Sequence, residues 1–361
     1  MTILNEMKKY ITIIFYCFTS YLLFGQSYII EGTLYDAGTK ETIPGVVVYF
    51  NGTSIHTTSD KDGYFRIATE TRINTILIFS HLLYESLIIE NPFEYTEKTF
   101  YLKEKVNMLQ ATVVTTELMS REEMMHIFKE HLIGDSMAGA SCVILNEEDI
   151  RLHYNSEKEQ LQAFLVSPLV IENKYLGYHV TYDLHEFTIQ YNETPNGPKI
   201  PVHTTCIGTT SFVDTKPYDL KTTTRRNDAY VRSTAYFWKN LVEDNLKEAK
   251  FKIYQQNKQV EQGQYFTILS GESNSTVYLS SPSLKNRNPY GINKPVFGVI
   301  RVFFNNQHET EIVFLTGQLS VDEFGNIDPI DKVVYFGDMG NQRIGEMLPI
   351  DFKYIPVSKR R

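Results

Sequence analysis

The side chains with the most chemistry in them cluster between His126 and Ser136. Gly134-Asp135-Ser136-Met137-Ala138-Gly139 nearly spells the G-x-S-x-G elbow that lifts a nucleophilic serine out of a strand-to-helix turn. The second glycine is one residue late, however, and a helical pattern precedes the motif where a strand belongs. A turn after a helix C-terminus is therefore expected, with a hydrolase site around His131, Asp135 and Ser136 as a second reading. On a helix, His126 and Glu130 share a face while His131 points about 100° further round, the spacing of a solvated surface. A zinc peptidase centre, with its His-x-x-Glu pair and distant third ligand, is not expected. Asp60-x-Asp62-Gly63 offers a cation two carboxylates, but a calcium loop needs about six oxygens and a bidentate glutamate at its twelfth position. Asp60, Asp62 and Gly63 thus read as a structural turn, and no metal or cofactor is expected.

Arg225 and Arg226 could clamp an acidic ligand, because guanidinium forks match carboxylates. As adjacent arginines just ahead of a helical pattern they are expected to form surface ion pairs instead. Arg343, between Gly340 and Leu348, is expected to pair with a buried acid. These three arginines are the candidate ligand or partner contacts. Cys142 and Cys206 could form a disulfide in an oxidising compartment, yet two thiols far apart with no framework around them suggest two free, buried cysteines. The 24 tyrosines and 22 phenylalanines could stack on sugars. With a single tryptophan beside them, packing across strands is the expected role.

The first 26 residues suggest a destination. Lys8 and Lys9 precede an apolar run from Ile11 to Phe24, and Gly25-Gln26-Ser27 offers small or polar residues for cleavage, the pattern of a secretory signal peptide, with an uncleaved anchor as the other reading. Tyr16 stands where a lipoprotein signal needs a small residue, so lipidation of Cys17 is not expected. Removing residues 1–26 takes away two lysines and one glutamate, which leaves 33 basic and 42 acidic residues and a formal charge of −9. That balance argues against nucleic acid and against anionic membrane surfaces as partners. The remaining length favours two domains.

From Ser27 to about Lys105, alternating runs at Ser27 to Tyr35, Val46 to Phe50, Tyr64 to Ile67, Thr75 to Ser80 and Lys98 to Leu102 describe an antiparallel sandwich. Asp62-Gly63 between two such runs signals a hairpin. Residues 106–119 look like a strand-like linker. From Ser120 to Arg361 the pattern is α+β, mostly antiparallel sheet with two helices. Ser120 to Glu123 is a capping box that opens the first, with Met124, Ile127, Phe128 and Leu132 on one face. The second spans about Ser233 to Ala249. A membrane barrel would need many more alternating strands than this length provides.

GTLYDAGTKETIPGVVVYFNGTSIHTTSDKDGYFRI carries a recognisable signature in Gly32 to Asp36, Pro44 to Val48 and Thr58 to Phe65. It resembles the carboxypeptidase regulatory-like domain. The resemblance implies a seven-stranded, transthyretin-like sandwich over residues 27–105, in which the Asp-x-x-Gly element is a turn and nothing is catalytic. Four further stretches, GDSMAGASCVILN, PLVIENKYLGYHVTYDLHEF, RRNDAYVRSTAYFWKNL and VDEFGNIDPIDKVVYFGDMGNQRIGEMLP, resemble motifs of secreted Bacteroidota-type envelope proteins with no established activity. In that family the same sandwich precedes the second domain. Cys142 matches a cysteine of the pattern and Cys206 does not. Tyr236-Phe237 stands where a His-Phe pair is usual. Asp135-Ser136-Met137 also resembles the O-glycosylation acceptor of such bacteria.

The expected protein is thus a mainly β, exported, non-catalytic envelope protein of the periplasm or cell surface. It would bind or scaffold an envelope protein or glycan partner, with peripheral membrane association and an oligomeric state that the sequence leaves open. Besides the hydrolase, an accessory subunit of a TonB-dependent outer-membrane uptake system is the other reading, by analogy with where the sandwich occurs.

Overall fold

The computed structural model describes residues 27–105, 119–192, 200–271, 274–280 and 295–356. The expected signal peptide and most of the expected linker lie outside the described residues. Residues 27–49 and 55–105 form one compact unit, and residues 50–54 and 119–356 another.

The first unit is a mainly β sandwich of seven strands. β1 (Tyr28–Asp36), β4 (Tyr64–Thr69) and β7 (Thr99–Leu102) form one sheet in the order β4-β1-β7. β2 (Val47–Phe50), β3 (His56–Thr58), β5 (Leu77–His81) and β6 (Tyr84–Ile89) form the other in the order β3-β2-β5-β6. Inward residues alternate as a half-buried sheet requires: β4 reads exposed, buried, exposed, buried along Tyr64, Phe65, Arg66 and Ile67. Phe65, Phe79 and Phe100 meet at centroid distances of 4.8–5.3 Å in the core.

The pairing differs from the expected all-antiparallel arrangement, since β1 and β7 run parallel. Nor is the Asp60–Gly63 turn a hairpin, because β3 pairs with β2 and β4 with β1. The turn carries the chain from one sheet to the other. Gly63, at φ +73°, approaches β1 so closely that its carbonyl accepts the Leu34 N–H at 2.9 Å, and a Cβ would lie 2.7 Å from the Leu34 carbonyl oxygen. Pairing with β1 therefore displaces pairing with β3.

The second unit is mostly antiparallel sheet with helices, built around two cores. The first core lies on a six-stranded sheet of β8 (Cys142–Ile144), β9 (Ile150–Asn155), β10 (Gln160–Leu165), β11 (Leu169–Asn173), β12 (Tyr178–Tyr191) and β13 (Pro201–Asp214). The helix α1 (Arg121–Ile133) covers it with Met124, Phe128 and Leu132. The expected capping box is present: Ser120 Oγ accepts the Glu123 N–H and the Glu123 carboxylate accepts the Ser120 N–H.

The second core lies between two further sheets. One contains β14 (Phe251–Gln255), β15 (Lys258–Val260), β18 (Gly298–Phe304), β19 (His308–Phe314) and β22 (Val333–Gly337). The other contains β16 (Phe266–Ser270), β17 (Asn274–Leu279), β20 (Gln318–Asp322) and β21 (Ile327–Asp328). Trp238 is fully buried there and donates its indole N–H to the Tyr335 hydroxyl at 2.6 Å.

Five helices rather than two occur among the described residues: α1, α2 (Met137–Ala140), α3 (Leu220–Val231), α4 (Thr234–Val242) and α5 (Gln262–Tyr265). The helix expected at Ser233 to Ala249 stops at Val242, and the chain beyond it needs positive φ at Asp244 (+54°) and Lys250 (+65°). No described helix is long and apolar enough to cross a membrane.

Candidate functional site

Each chemically promising residue has a definite place. Ser136 caps α2, its Oγ accepting the Gly139 N–H at 3.1 Å, and it also contacts the Glu346 carboxyl. Burial pushes the pKa of that carboxyl up, with Arg232 pulling it down to a smaller extent. His131 is half-buried, and its Nδ1 lies 2.9 Å from the Thr204 hydroxyl. Burial lowers its pKa, opposed by Glu130. The serine and the histidine are therefore committed to different partners. His126 and Glu130 are exposed on α1.

One His-x-x-Glu spacing does occur in the chain, at His308 to Glu311. It lies on β19, where residues three apart point to opposite faces. His308 Nδ1 meets Asp338 Oδ1 at 3.2 Å, whereas Glu311 Oε1 is buried without a hydrogen-bond partner among the described residues. Among the described residues no group of three His, Cys, Asp or Glu side chains is placed to hold a metal ion. In the Asp60 turn, Asp60 Oδ1 accepts the N–H groups of Asp62 and Tyr64, both at 2.9 Å.

Arg225 and Arg226 are inside α3 rather than ahead of a helix, and they do not act as a joint clamp. Arg226 is buried. Its Nη1 and Nη2 each lie 2.7 Å from one oxygen of Asp214, and its other donors meet the carbonyls of Leu176 (2.7 Å) and Gly177 (2.9 Å). Its guanidinium also stacks 4.0 Å from the Tyr178 ring centroid. Arg225 stacks equally close on Tyr175. Arg343 has backbone carbonyls for partners in place of the expected acid, donating to Gly340 at 2.7 Å and Gln342 at 2.9 Å. Cys142 and Cys206 are free thiols, the first half-buried on edge strand β8 and the second exposed on β13, so the disulfide is absent and only one of the two is shielded.

What the fold brings together is an aromatic cleft of about 510 Å³ in the second unit, which no local sequence pattern announces. Tyr230 lies in the last turn of α3, and Tyr236, Lys239 and Asn240 come from α4. Glu243 and Asn245 follow that helix, Glu323 and Phe324 sit on the β20–β21 turn, and Phe352 to Tyr354 close the wall. The segments are held there by their own sequence. Ser233 caps α4 by accepting the Tyr236 N–H at 3.1 Å. In the β20–β21 turn, Asp322 Oδ1 accepts the N–H groups of Phe324 (2.9 Å) and Asn326 (2.8 Å). Gly325, at φ +88°, lets this turn press on α4, where a Cβ would fall 2.0 Å from the Ala235 carbonyl oxygen. Buried Asn227 ties down the C-terminal wall, donating to the Ile355 carbonyl at 2.6 Å and accepting its N–H at 3.2 Å.

Within the cleft Tyr230 meets Tyr236 edge-on at 5.3 Å and Phe352 at 5.4 Å. Asn240 donates to the Tyr236 carbonyl at 2.8 Å and accepts from the Asn245 amide at 2.9 Å. Burial, with help from Glu243, pushes the Tyr230 hydroxyl up to about 12, and burial likewise raises Tyr236. Tyr236 occupies the position where the resemblance leads one to expect histidine, and the two stretches at 225–241 and 321–349 that carry the resemblance contribute Tyr230, Tyr236, Lys239, Asn240, Glu323 and Phe324 to the cleft. A second cavity of about 270 Å³ shares Tyr230 and is lined by Arg343 and Glu346.

No curated protein matches this chain. Residues 30–114 match the family model described as the CarboxypepD_reg-like domain, a non-catalytic Ig-like type, and the described part of that span is the seven-stranded sandwich.

Proposed function

We propose that the chain is an exported cell-envelope protein that binds or scaffolds a partner without catalysing a reaction on it. The observation that carries this reading is the use made of Ser136. Its hydroxyl is engaged as a helix cap and lies against Glu346, while His131 Nδ1 is turned to Thr204. A serine–histidine hydrolase needs the imidazole beside the hydroxyl to take its proton, and here the two side chains face different partners, Glu346 and Thr204. The non-catalytic type of the matched domain supports the same reading. The signal-like composition of residues 1–26 supports export, and the acidic balance supports an envelope protein or glycan partner over nucleic acid.

The test is incubation of the purified chain from Ser27 with peptide, ester and glycoside panels. No turnover above the blank is expected, from the parent or from Ser136→Ala. Turnover that Ser136→Ala abolishes would put the hydrolase reading in its place.

A further inference from the structure

The aromatic cleft has the size of a small-molecule site, about 510 Å³ against the roughly 300–1,000 Å³ usual for such pockets. We propose that it binds a neutral saccharide, whose C–H faces stack on Tyr236, Phe352 and Tyr354 and whose hydroxyls bond to the phenols and to Asn245. This inference rests on the reading that the chain binds its ligand without converting it.

Three features select that class. The first is charge. Two lysines, Lys239 and Lys353, stand against two glutamates, Glu243 and Glu323, so the lining has no formal net charge, and Lys239 is itself 3.9 Å from Glu243. Such a lining gives neither an anion nor a cation a preferred field. The second is hydrogen-bonding capacity. With its pKa near 12, the Tyr230 phenol keeps its proton at neutral pH and offers both a donor and an acceptor, as a sugar hydroxyl does. Among the described residues Tyr230 Oη, Tyr354 Oη and Asn245 Oδ1 have no hydrogen-bond partner of their own. The third is rigidity. The Asn240 amide is fixed between Tyr236 and Asn245, and Asn227 anchors the wall that carries Phe352 and Tyr354. Pre-ordered rings and amides lose little freedom when a ligand arrives.

The experiment titrates the chain from Ser27 with neutral mono- and disaccharides of glucose, galactose, mannose and N-acetylglucosamine, with glucuronic acid, glucosamine and a proline-rich peptide as controls. Calorimetry reads affinity, saturation-transfer NMR reads which sugar protons face rings, and mass spectrometry reads the sugar afterwards. Saturable binding of at least one neutral sugar is expected, with transfer to its ring C–H protons. Tyr354→Ala, at a half-exposed position, and Tyr236→Ala should each weaken it about tenfold. Circular dichroism checks that each variant is folded, and Tyr354→Ala decides the matter if Tyr236→Ala is not. Binding of no neutral sugar, binding indifferent to Tyr354→Ala, or Tyr354-dependent binding of the charged sugars or the peptide alone would overturn the proposal. Bound and cleaved sugar would support the saccharide site and overturn the non-catalytic reading. No binding with intact sugar would overturn the site and leave that reading standing.

Discussion

Arg226 and Asp214 form a two-pronged ion pair, with both N–O distances at 2.7 Å, at a guanidinium side chain that is only 6% exposed. Two further donors go to the Leu176 and Gly177 carbonyls, so one side chain joins α3 to the end of β13 and to the turn ahead of β12. A residue used this way holds the structure, with four of its five N–H donors engaged within the fold.

Lysine at position 226 keeps the charge but cannot serve these acceptors with a flat fork. Breaking a buried pair from one side costs about 3–5 kcal/mol, and the partial exposure of Asp214 places this case at the lower end. Arg226→Lys is expected to lower the unfolding free energy by about 3 kcal/mol in urea denaturation. Arg225→Lys should lower it by under about 1 kcal/mol, because that residue gives up only one long hydrogen bond and a ring contact. Equal losses from the two substitutions would contradict the assignment.

Ser136→Ala removes the acceptor of the Gly139 N–H, and loss of a helix cap costs about 1 kcal/mol. The same change takes a hydroxyl away from Glu346, whose pKa is already raised by burial and which Ser136 pulls down. A melting curve shifted down by a corresponding few degrees is the expected result. An unchanged curve would mean that the cap contributes nothing.

Gly63→Ala meets two penalties at once, a positive φ and a Cβ only 2.7 Å from the Leu34 carbonyl oxygen. Strained backbone of this kind costs about 1–3 kcal/mol before any clash is counted. The variant is therefore expected to lose at least about 2 kcal/mol. By contrast Gly45→Ala, where φ is +76° but nothing lies within 4 Å of the added carbon, should lose only the conformational part. If the two glycines tolerate alanine equally well, the close approach to β1 is not what the glycine serves.

Much of this fold is written locally, and the reasons for the rest are specific. Strands that alternate, such as β4 and β12, declare themselves, because one face meets a core and the other meets water. β13 does not: its Thr-rich run, interrupted by Gly208, has exposed apolar residues at Val202 and Ile207, and only its long pairing with β12 defines it. Helix α3 has no apolar stripe at all. Its buried residues are Thr222, Thr223, Arg226 and Asn227, so polar tertiary contacts hold a segment whose three consecutive threonines disfavour helix. The cleft is illegible for another reason. Its rings come from residues 230–236, 324 and 352–354, and in sequence they are indistinguishable from core aromatics such as Phe237.

The two thiols should differ in reactivity. Burial raises the pKa of Cys142 to about 12, so almost none of it is thiolate at pH 8. The Cys206 thiol is also raised by desolvation, but Tyr182, 3.2 Å away, and Arg343 pull it down, and the residue is exposed. In the chain from Ser27, which carries only these two cysteines, alkylation should modify Cys206 well before Cys142. Peptide mapping after a timed exposure reads the order. Cys206→Ser should remove the fast phase, and a fast phase that survives it would reverse the assignment.

Carboxylates of opposite tendency shape the response to pH. Asp36 accepts the N–H groups of Thr39 (2.8 Å) and Gly38 (2.7 Å), and the Thr39 bond does most to hold its carboxyl below the usual range. A depressed carboxylate contributes stability that is present above its unfolded pKa, near 3.9, and is lost as pH falls through its folded pKa. Burial acts the other way on Glu311, raising its pKa. Its contribution is complete below the unfolded value, near 4.3, and is lost as pH rises through the folded value. In urea denaturation the Asp36 contribution to stability should therefore be lost as pH falls below about 4, and the Glu311 contribution should be lost as pH rises above about 4.3. Glu311→Gln cannot ionise, so it should remove the Glu311 share of the upper decline, with the share from Glu346 remaining, and leave the acid limb in place. Asp36→Asn should soften the acid limb and leave the upper one unchanged. A Glu311→Gln profile parallel to the parent's above pH 5 would show that the buried, unpartnered Oε1 carries no proton-linked cost.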